Sequence, residues 1–160
     1  MACPSSPERG ALLPWEPAPA PGDDPCGALA FGRFLDRARS ERQIKALAFS
    51  HANGELVGQI SLNESVLGPF CSGYLGWWIG APFLGRGLVV EGIGAFIDHA
   101  FGECGLHRVE ANVQPTNTAS MQVVRRLGFR REGFSPRYLK IAGRWADHER
   151  WALTTEDRRA

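Results

Sequence analysis

A glycine-rich turn between an apolar run and an amphipathic run is the feature that most restricts the fold of this chain. The stretch reads GWWIGAPFLGRGLVVEGIGAFIDHAF, residues 76–101. The apolar run, 71–80, predicts a strand. Apolar residues then recur at helical spacing, which predicts a helix packed on a core; they are Val89, Ile93, Phe96, Ile97 and Ala100. A strand that leads through a tight turn into a helix is typical of folds in which helices pack on a sheet.

The turn itself, Gly85-Arg86-Gly87, has a steric and a chemical interpretation. Glycines allow a tight turn, but a helix N-terminus also carries unpaired N–H groups and a partial positive charge that suit a phosphate. A P-loop requires Gly-Lys-Ser/Thr, and none follows. A dinucleotide fingerprint requires Gly or Ala where Val90 stands. The pyrophosphate of coenzyme A remains as a ligand, and the residues alone leave both interpretations open.

Composition excludes several classes of protein. The chain has 160 residues and a net charge of +1, which fits one domain with no bulk attraction to nucleic acid or membranes. No apolar run approaches the roughly 20 residues of a membrane helix, and the opening MACPSSPERG has no apolar signal-peptide core. We therefore expect a cytoplasmic protein. The cysteines form no CxxC pair and the histidines have no partner at ligand spacing, so we expect no metal site.

The first part of the chain combines a proline-rich segment with a hairpin signal. Residues 1–25 hold seven of the eleven prolines and are predicted to be an irregular lead-in, with Trp15 docked on the body. A helix is predicted over 24–42. The next segment, 45–62, has two apolar runs around Asn53-Gly54, which predicts a β-hairpin.

The second part of the chain predicts a strand, a helix and a closing hairpin. The predicted elements are a strand over 106–114, a helix over 116–127 ended by Gly128, a bent strand to a turn at Ala142-Gly143, and a last strand through Trp151 and Leu153. Asp147-His148 is interpreted as a structural turn pair, and Trp77, Trp78, Trp145 and Trp151 as walls of the core or of a cleft. The order of elements predicts an α/β or α+β fold.

From about residue 45 to 156 the sequence resembles the GNAT acyl-CoA N-acyltransferase family. It is most similar to the branch of ribosomal-protein alanine acetyltransferases, which acetylate protein N-terminal amines. Four blocks carry the resemblance: GELVGQISL, GWWIGAPFLGRGLVVEGI, GLHRVEANVQPTNTASMQVVRRLGFRREG and YLKIAGRWADHERWAL. It implies one domain over 26–156 with a mixed, mostly antiparallel sheet and helices on both faces. Because only the proline-rich stub precedes Trp15, we expect the family's first strand and helix to be missing, leaving an N-terminally truncated domain.

The resemblance also implies which residues bind acetyl-CoA. The family's pyrophosphate loop, Arg/Gln-x-x-Gly-x-Gly/Ala, corresponds to Leu84, Gly85, Arg86, Gly87, Leu88 and Val89, with departures at its first and last positions. Backbone N–H groups hold the phosphates, so Leu84 is compatible with binding, whereas Val89 is bulkier than the family residue. Ile79 corresponds to the strand position that pairs with the pantetheine arm. Asn117 contacts that arm, and Ser120 lies near the thioester sulfur.

For catalysis, the resemblance implies direct attack of an amine on the thioester, with the oxyanion held by backbone N–H groups near Ile79. Ser120 is the candidate that protonates or stabilises the leaving thiolate. Glu110 is the first candidate for the base, because it lies mid-strand and faces opposite to Val109 and Ala111. Tyr138 is a further candidate proton donor. The alternatives are a paired strand carboxylate for Glu110, a surface serine for Ser120 and a core-edge tyrosine for Tyr138.

Two functions from different classes follow. The first is an acetyl-CoA-dependent N-acetyltransferase that acts on a protein or peptide α-amine, or on a small-molecule amine. The second is a catalytically impaired fold that binds coenzyme A weakly or serves as an interaction module through an uncovered sheet edge, which a second copy in a homodimer would cover. Leu84, Val89 and the missing front favour the second function. The Asn-x-x-Ser block and the closing hairpin favour the first.

Overall fold

The computed structural model describes Trp15, Gly32 and residues 42–159. Its elements are β1 (Ile44–Phe49), β2 (Leu56–Val66), β3 (Ser72–Ile79), a single 3-10 turn (Ala81–Phe83), α1 (Leu88–Gly102), β4 (Arg108–Val113), α2 (Thr118–Arg126), β5 (Arg130–Ile141), β6 (Arg144–Thr154) and α3 (Thr155–Arg159). The predicted lead-in and the helix predicted over 24–42 lie outside these residues, apart from Trp15 in a turn and Gly32 in helical backbone. The expected loss of a first strand and helix also concerns residues outside the description.

The six strands form one sheet in the order β1-β2-β3-β4-β6-β5. All neighbours are antiparallel except β3 and β4, which are parallel and are joined through α1. Parallel neighbours require such a crossover, and a helix supplies it. The predicted mixed, mostly antiparallel sheet is confirmed.

Local sequence explains the first hairpin. Gly54 has a φ of 71°, which costs glycine little. The Gly54 N–H donates to the carbonyl of Ser50 at 2.8 Å, and the Ser50 N–H donates to the carbonyl of Glu55 at 2.8 Å. β1 and β2 pair antiparallel on either side of this turn. The hairpin predicted around Asn53-Gly54 is confirmed.

The core lies between one face of the sheet and helices α1 and α2. Alternate residues of β4 point into it, because successive side chains of a strand face opposite sides; they are Val109, Ala111 and Val113. The helices contribute Ile93, Ile97 and Val124, which are fully buried. The predicted stripe on α1 is confirmed at four of its positions, while Val89 is only half-buried.

The closing hairpin differs from its prediction in one respect. Its turn at Ala142-Gly143 is confirmed, with positive φ at both residues. Asp147 and His148 lie inside β6 and not in a turn, so that interpretation was wrong. The two residues lie opposite a register irregularity of β5. There the Arg137 N–H donates a hydrogen bond to the Asp147 carboxylate at 2.7 Å. An aspartate that caps a bulge looks like a turn residue in sequence, which explains the error.

A short helix, α3, follows β6 and was not predicted. The Asp157 carboxylate accepts hydrogen bonds from the Thr154 N–H and hydroxyl, and the Thr154 hydroxyl oxygen accepts one from the Asp157 N–H. This reciprocal pattern is that of a capping box. The signal was present in Thr-Thr-Glu-Asp, where an aspartate takes the place of the usual glutamate.

The tryptophans divide between the core and the surface. Trp151 is buried in the core, and Trp77 packs against it as a partly buried side chain. Trp145 is 63% exposed, so its assignment to a wall of the core or a cleft was wrong. It lies beside the closing turn, where the hairpin extends into solvent.

Candidate functional site

The two parallel strands part in mid-sheet, and this opening defines the site. β3 and β4 pair from Ser72–Arg108 to Leu75–Ala111. Beyond that point β3 pairs only with β2, as far as Ile79, and β4 pairs only with β6. The peptide groups of residues 76–79 that point away from β2 therefore have no strand opposite them in the described sheet. Buried backbone groups require partners, so this opening is suited to an extended ligand.

A cavity of about 320 Å³ connects this opening to the start of α1. We name it the loop cavity. It is lined by Trp15, Trp77, Trp78, Ile79, Leu84, Gly85, Gly87, Val89, Val90, Asn117, Ala119, Ser120, Gln122, Val123 and Arg126. The cavity brings together side chains from β3, the glycine loop and α2, which are distant in sequence. The predicted docking of Trp15 and the predicted wall positions of Trp77 and Trp78 agree with this lining.

The glycine loop presents unpaired donors to the loop cavity. Gly85 and Gly87 have φ values of 73° and 80°, and Gly87 is the N-cap of α1. The first N–H groups of α1 that form backbone hydrogen bonds are those of Val90 and Glu91, which both donate to the carbonyl of Gly87. In the described part of the chain, the N–H groups of residues 85–89 meet no acceptor. The start of α1 is thus an anion site in its geometry.

Charge at the loop cavity is positive. Arg126 is an exposed residue that lines it, and Arg86 stands in the loop with its guanidinium 5.7 Å from the centre of the Phe83 ring. The described lining residues include no carboxylate. Anions are therefore attracted to this rim.

A second cavity, of about 140 Å³, lies deeper between the parted strands. We name it the wedge cavity. It is lined by Trp15, Leu75, Gly76, Trp77, Asn112, Val113, Gln114, Asn117, Ser120 and His148. Trp15, Trp77, Asn117 and Ser120 line both cavities, so a ligand that enters along the loop cavity reaches the wedge cavity past these four residues.

Asn117 and Ser120 are held at this junction by the start of α2. Asn117 is the N-cap, and its Oδ1 accepts a hydrogen bond from the Ser120 N–H at 3.0 Å. The Asn-x-x-Ser spacing is the spacing of a capping bond to N3. The bond fixes the Asn117 side chain at the start of α2 and stabilises the helix.

The predicted cofactor residues meet in one place. Ile79, Leu84, Gly85, Gly87, Val89, Asn117 and Ser120 all line the loop cavity. Arg86 and Leu88 belong to the same loop but are not among its lining residues. Leu84 is 55% exposed and contributes an apolar edge to the opening.

The predicted catalytic residues Glu110 and Tyr138 lie to one side of both cavities. Glu110 is buried, and its Oε1 accepts from Arg108 Nε at 3.0 Å. Tyr138 packs edge-on against His148, with ring centres 6.0 Å apart, and its hydroxyl hydrogen-bonds Tyr74. Burial raises the pKa of Tyr74, and the neighbouring Tyr138 and Glu110 add to that shift. These residues form a polar cluster that reaches the wedge cavity through His148.

Arg108 also organises the outer end of this cluster. It donates two hydrogen bonds to Glu132, at 3.0 and 2.6 Å, and Arg130 donates a third at 3.0 Å. The Arg108 hydrogen bonds hold the pKa of Glu132 at about 2. The network joins β4 to β5 across β6.

Sequence reasoning missed His148 and Asn112 as residues of the site. His148 is 3% exposed, and its Nδ1 lies 3.0 Å from the carbonyl oxygen of Ala146. Burial lowers the pKa of its imidazole. Asn112 places Oδ1 in a buried position with no hydrogen-bond partner among the described residues. If the alternating pattern of the last strand is followed back from Trp151, it predicts that His148 belongs to that strand and not to a turn.

No three His, Cys, Asp or Glu side chains in the described segments are grouped so that they could hold a metal ion. A search of the same residues finds no helix with the length and apolar character needed to cross a bilayer. Cys71 and Cys104 are free thiols, and Cys3 and Cys26 lie outside the described residues.

The sequence is similar to a known protein family and to named acetyltransferases. Residues 7–130 match the acetyltransferase (GNAT) domain family. A probable N-acetyltransferase of Bacillus subtilis, YjcK, is 31% identical over 124 residues, which cover 78% of this chain and 68% of that protein. The ribosomal protein uS5-alanine N-acetyltransferase of Escherichia coli is 40% identical over 103 residues, which cover 64% of this chain. The matched segment covers 53% of the Escherichia coli protein, so the chain spans about half of that relative's length.

A solved structure is similar to the whole described fold. RimJ of Mycobacterium smegmatis in complex with CoA-disulfide has a TM-score of 0.85 and 32% identity. The similarity covers 94% of this chain and 73% of the other. A protein of this architecture thus holds a coenzyme A derivative.

Proposed function

This chain belongs to the GNAT acetyltransferase family, and from that premise we propose that it transfers an acetyl group from acetyl-CoA to a primary amine. We propose further that the acceptor is the α-amine of a protein N-terminus. The observation that carries the proposal is the parting of β3 and β4 beside the glycine loop, with both features lining one cavity.

Acetyl-CoA is a substrate here, and the residues present suit its parts. The unpaired N–H groups at residues 85–89 suit the pyrophosphate, with Arg126 as a nearby cation. The free side of β3 at residues 76–79 suits the amide groups of the pantetheine arm. Asn117 and Ser120 line the passage between the two cavities, so the thioester end is assigned to the wedge cavity.

The departures at Leu84 and Val89 are compatible with this assignment. Both side chains line the loop cavity, while the donors that suit a pyrophosphate belong to the backbone. Val89 is half-buried and packs partly against the core, which turns part of its bulk away from the opening. A cavity of about 320 Å³ remains with both side chains in place.

The proposed reaction is a direct attack of the amine nitrogen on the thioester carbonyl. The N–C bond forms, the C–S bond breaks, and one proton moves in net terms from the amine to the departing thiolate. Free N–H groups of β3 stabilise the oxyanion. Ser120 is assigned the role of proton donor to the thiolate, because it lines both cavities. Glu110 and Tyr138 stay predictions, since any proton they exchange must pass through neighbouring residues.

The protein α-amine is proposed as acceptor on the strength of the Escherichia coli relative, which is a ribosomal protein uS5-alanine N-acetyltransferase. The wedge cavity is small and presents uncharged polar groups from Asn112, Asn117 and Ser120. A small, unbranched N-terminal residue fits such a space better than a long side chain does.

An acetyl-transfer assay tests the proposal. The chain is incubated with acetyl-CoA and a peptide that begins with alanine, and acetylated product is measured by mass spectrometry. Two controls are used. The first is the same peptide with a blocked N-terminus and one internal lysine, and the second is a small primary amine. We expect transfer to the free N-terminus only. Transfer to the small amine alone would overturn the protein acceptor. Binding of acetyl-CoA with no transfer to any amine would favour the catalytically impaired alternative.

A further inference from the structure

Two hydrogen-bond acceptors in the wedge cavity lack partners in the described structure. Asn112 Oδ1 is buried and accepts no hydrogen bond. His148 makes its one described hydrogen bond through Nδ1, so Nε2 has no partner among the described residues. Both residues line the wedge cavity. Acceptors left in this way are suited to a ligand that donates hydrogen bonds, and an amine is such a ligand.

The tautomer of His148 follows from the chemistry of its partner. A backbone carbonyl oxygen only accepts hydrogen bonds, so Nδ1, which lies 3.0 Å from the Ala146 oxygen, carries a proton. In the neutral ring the other nitrogen, Nε2, then holds a lone pair. The carbonyl therefore fixes the one arrangement in which Nε2 can accept a proton.

The surroundings of the ring keep it neutral. Burial lowers the pKa of His148 below its ordinary value of 6.5, and this effect exceeds the opposing effects of the Ala146 carbonyl and of Asp147. The Asp147 carboxylate is engaged by the Arg137 N–H. From β5 the ring faces Tyr138, and the described residues of β3, β4 and α2 that line the wedge cavity carry no ionisable acid or base.

We infer that His148 is the general base of the reaction, taking the proton of the attacking amine at Nε2 while Asn112 Oδ1 orients the amine. The inference rests on the proposed acetyl transfer. In this step the N–C bond forms and the C–S bond breaks, the amine proton passes to Nε2, and the thiolate receives a proton from Ser120. The imidazolium then returns its proton to Ser120 through solvent, so that free thiol and neutral imidazole are restored.

The alternative base, Glu110, is less suited to this step. Its carboxylate is hydrogen-bonded to Arg108, and it lines neither cavity. Its link to the site runs through Tyr74 and Tyr138 to the edge of the His148 ring. Glu110 is thus not placed to contact the amine.

His148→Asn is the variant that tests the inference. An asparagine amide can replace Nδ1–H in the bond to the Ala146 carbonyl, but it provides no base at the position of Nε2. We expect its acetyl-transfer kcat to fall roughly 10²–10⁴-fold, with acetyl-CoA affinity and melting temperature unchanged. His51→Asn is the matched control, since it makes the same substitution at an exposed histidine in the turn between β1 and β2.

The pH profile separates a base from a structural residue. A neutral base is lost as pH falls, so the kcat of the wild type should decline below the His148 pKa, which lies under 6.5. This acid limb should be absent from His148→Asn. Long-range ¹H–¹⁵N spectra of the imidazole in the wild type, recorded without substrate, should show the neutral Nδ1–H tautomer. The Nε2–H tautomer would overturn the inference.

The outcomes distinguish this inference from the proposed function. An active wild type and an equally active His148→Asn variant with the same acid limb would overturn His148 as the base and leave acetyl transfer intact. A wild type that binds acetyl-CoA but acetylates no amine would overturn both. An active wild type with the expected loss in the variant, and an active His51→Asn control, would support both.

Discussion

Single residues fix the chemistry of this site through their backbone conformation as much as through their side chains. Gly87 is both the N-cap of α1 and a residue with a φ of 80°. In the described part of the chain the N–H groups of the loop have no acceptor, and Gly85 and Gly87 line the loop cavity. An L-residue in the left-handed region costs about 1–2 kcal/mol, so the loop depends on glycine for its shape and for close approach of a ligand.

Gly87→Ala should weaken acetyl-CoA binding, and Gly54→Ala provides a matched control. Both glycines have positive φ, at 80° and 71°, and an added Cβ at either position meets nothing within 4 Å. Each variant should therefore lose about 1–2 kcal/mol of unfolding free energy. Gly87→Ala alone should also lose roughly tenfold in affinity, because its methyl group stands where the phosphates approach. Calorimetric titration of both variants checks this, and equal affinities would remove the loop from the binding site.

Glu132 gives a prediction about stability and pH. Its hydrogen bonds to Arg108 hold its folded-state pKa at about 2, below the ordinary 4.5. A depressed carboxyl pKa contributes stability above the unfolded pKa and loses it as pH falls. Glu132→Gln should thus be less stable than the wild type at neutral pH by about 1 kcal/mol. The difference should narrow as pH falls from 4.5 toward 2.

Denaturant unfolding at several pH values measures that difference. Glu103→Gln is the control, because Glu103 is exposed and forms no ion pair within the described residues. A gap between Glu132→Gln and the wild type that stayed constant with pH would show that the ion pair is not its cause.

At the scale of elements, the site depends on where β3 stops pairing with β4. β2 supports the end of β3 after the parting, and Gly58 of β2 pairs with Ile79 there. The two backbones approach so closely that a Cβ on Gly58 would lie 2.2 Å from the Trp78 carbonyl oxygen. Glycine in this strand marks a close approach of backbone. It holds in position the segment of β3 that lines the loop cavity.

Gly58→Ala should therefore destabilise the protein and displace the end of β3. The contact is with backbone and cannot be relieved by a side-chain rotation, so we expect a loss of roughly 1–3 kcal/mol. Gly92→Ala on α1 is the control, since its Cβ would meet Ile60 at an ordinary 3.6 Å and alanine favours a helix. Thermal unfolding of the pair should show a lower melting temperature for Gly58→Ala only. A Gly58→Ala protein as stable as the wild type would contradict the close approach.

Most elements were predictable because each has a local signal. The turn Asn53-Gly54, the stripe on α1 and the cap at Asn117 each act over a few residues of chain. The parting of β3 and β4 has no such signal, since periodicity locates a strand but does not say which neighbour it pairs with along its length. The role of His148 was missed for a related reason. Its neighbour Asp147 caps a bulge, and only the pairing of β5 with β6 shows this.

The predicted site residues divide in the same way. The loop and Asn-x-x-Ser residues were predictable because they are contiguous in sequence and stay together in the fold. Glu110 was chosen from strand alternation, which gives the face of the sheet but not whether the side chain reaches the cavity between β3 and β4. Placing Glu110, Tyr138 and His148 relative to one another requires the order of strands β4, β6 and β5.

At the scale of the whole molecule, the sheet order places the opening between β3 and β4 beside both cavities. The parallel pair lies in the middle of the sheet, with antiparallel strands on both sides. α1 and α2 pack on one face and deliver the glycine loop and the Asn117 cap to the same opening. In the proposed complex, acetyl-CoA occupies this opening, with its pyrophosphate at the loop and its thioester in the wedge cavity.

Calorimetric titration of acetyl-CoA into the purified 160-residue chain tests that claim most directly. Acetyl-pantetheine, which carries the thioester but no pyrophosphate, is titrated in parallel. We expect one acetyl-CoA site with a dissociation constant on the order of 1 μM–1 mM, and much weaker binding of acetyl-pantetheine. No binding of acetyl-CoA by a chain shown to be folded, or equal binding of the two compounds, would contradict it.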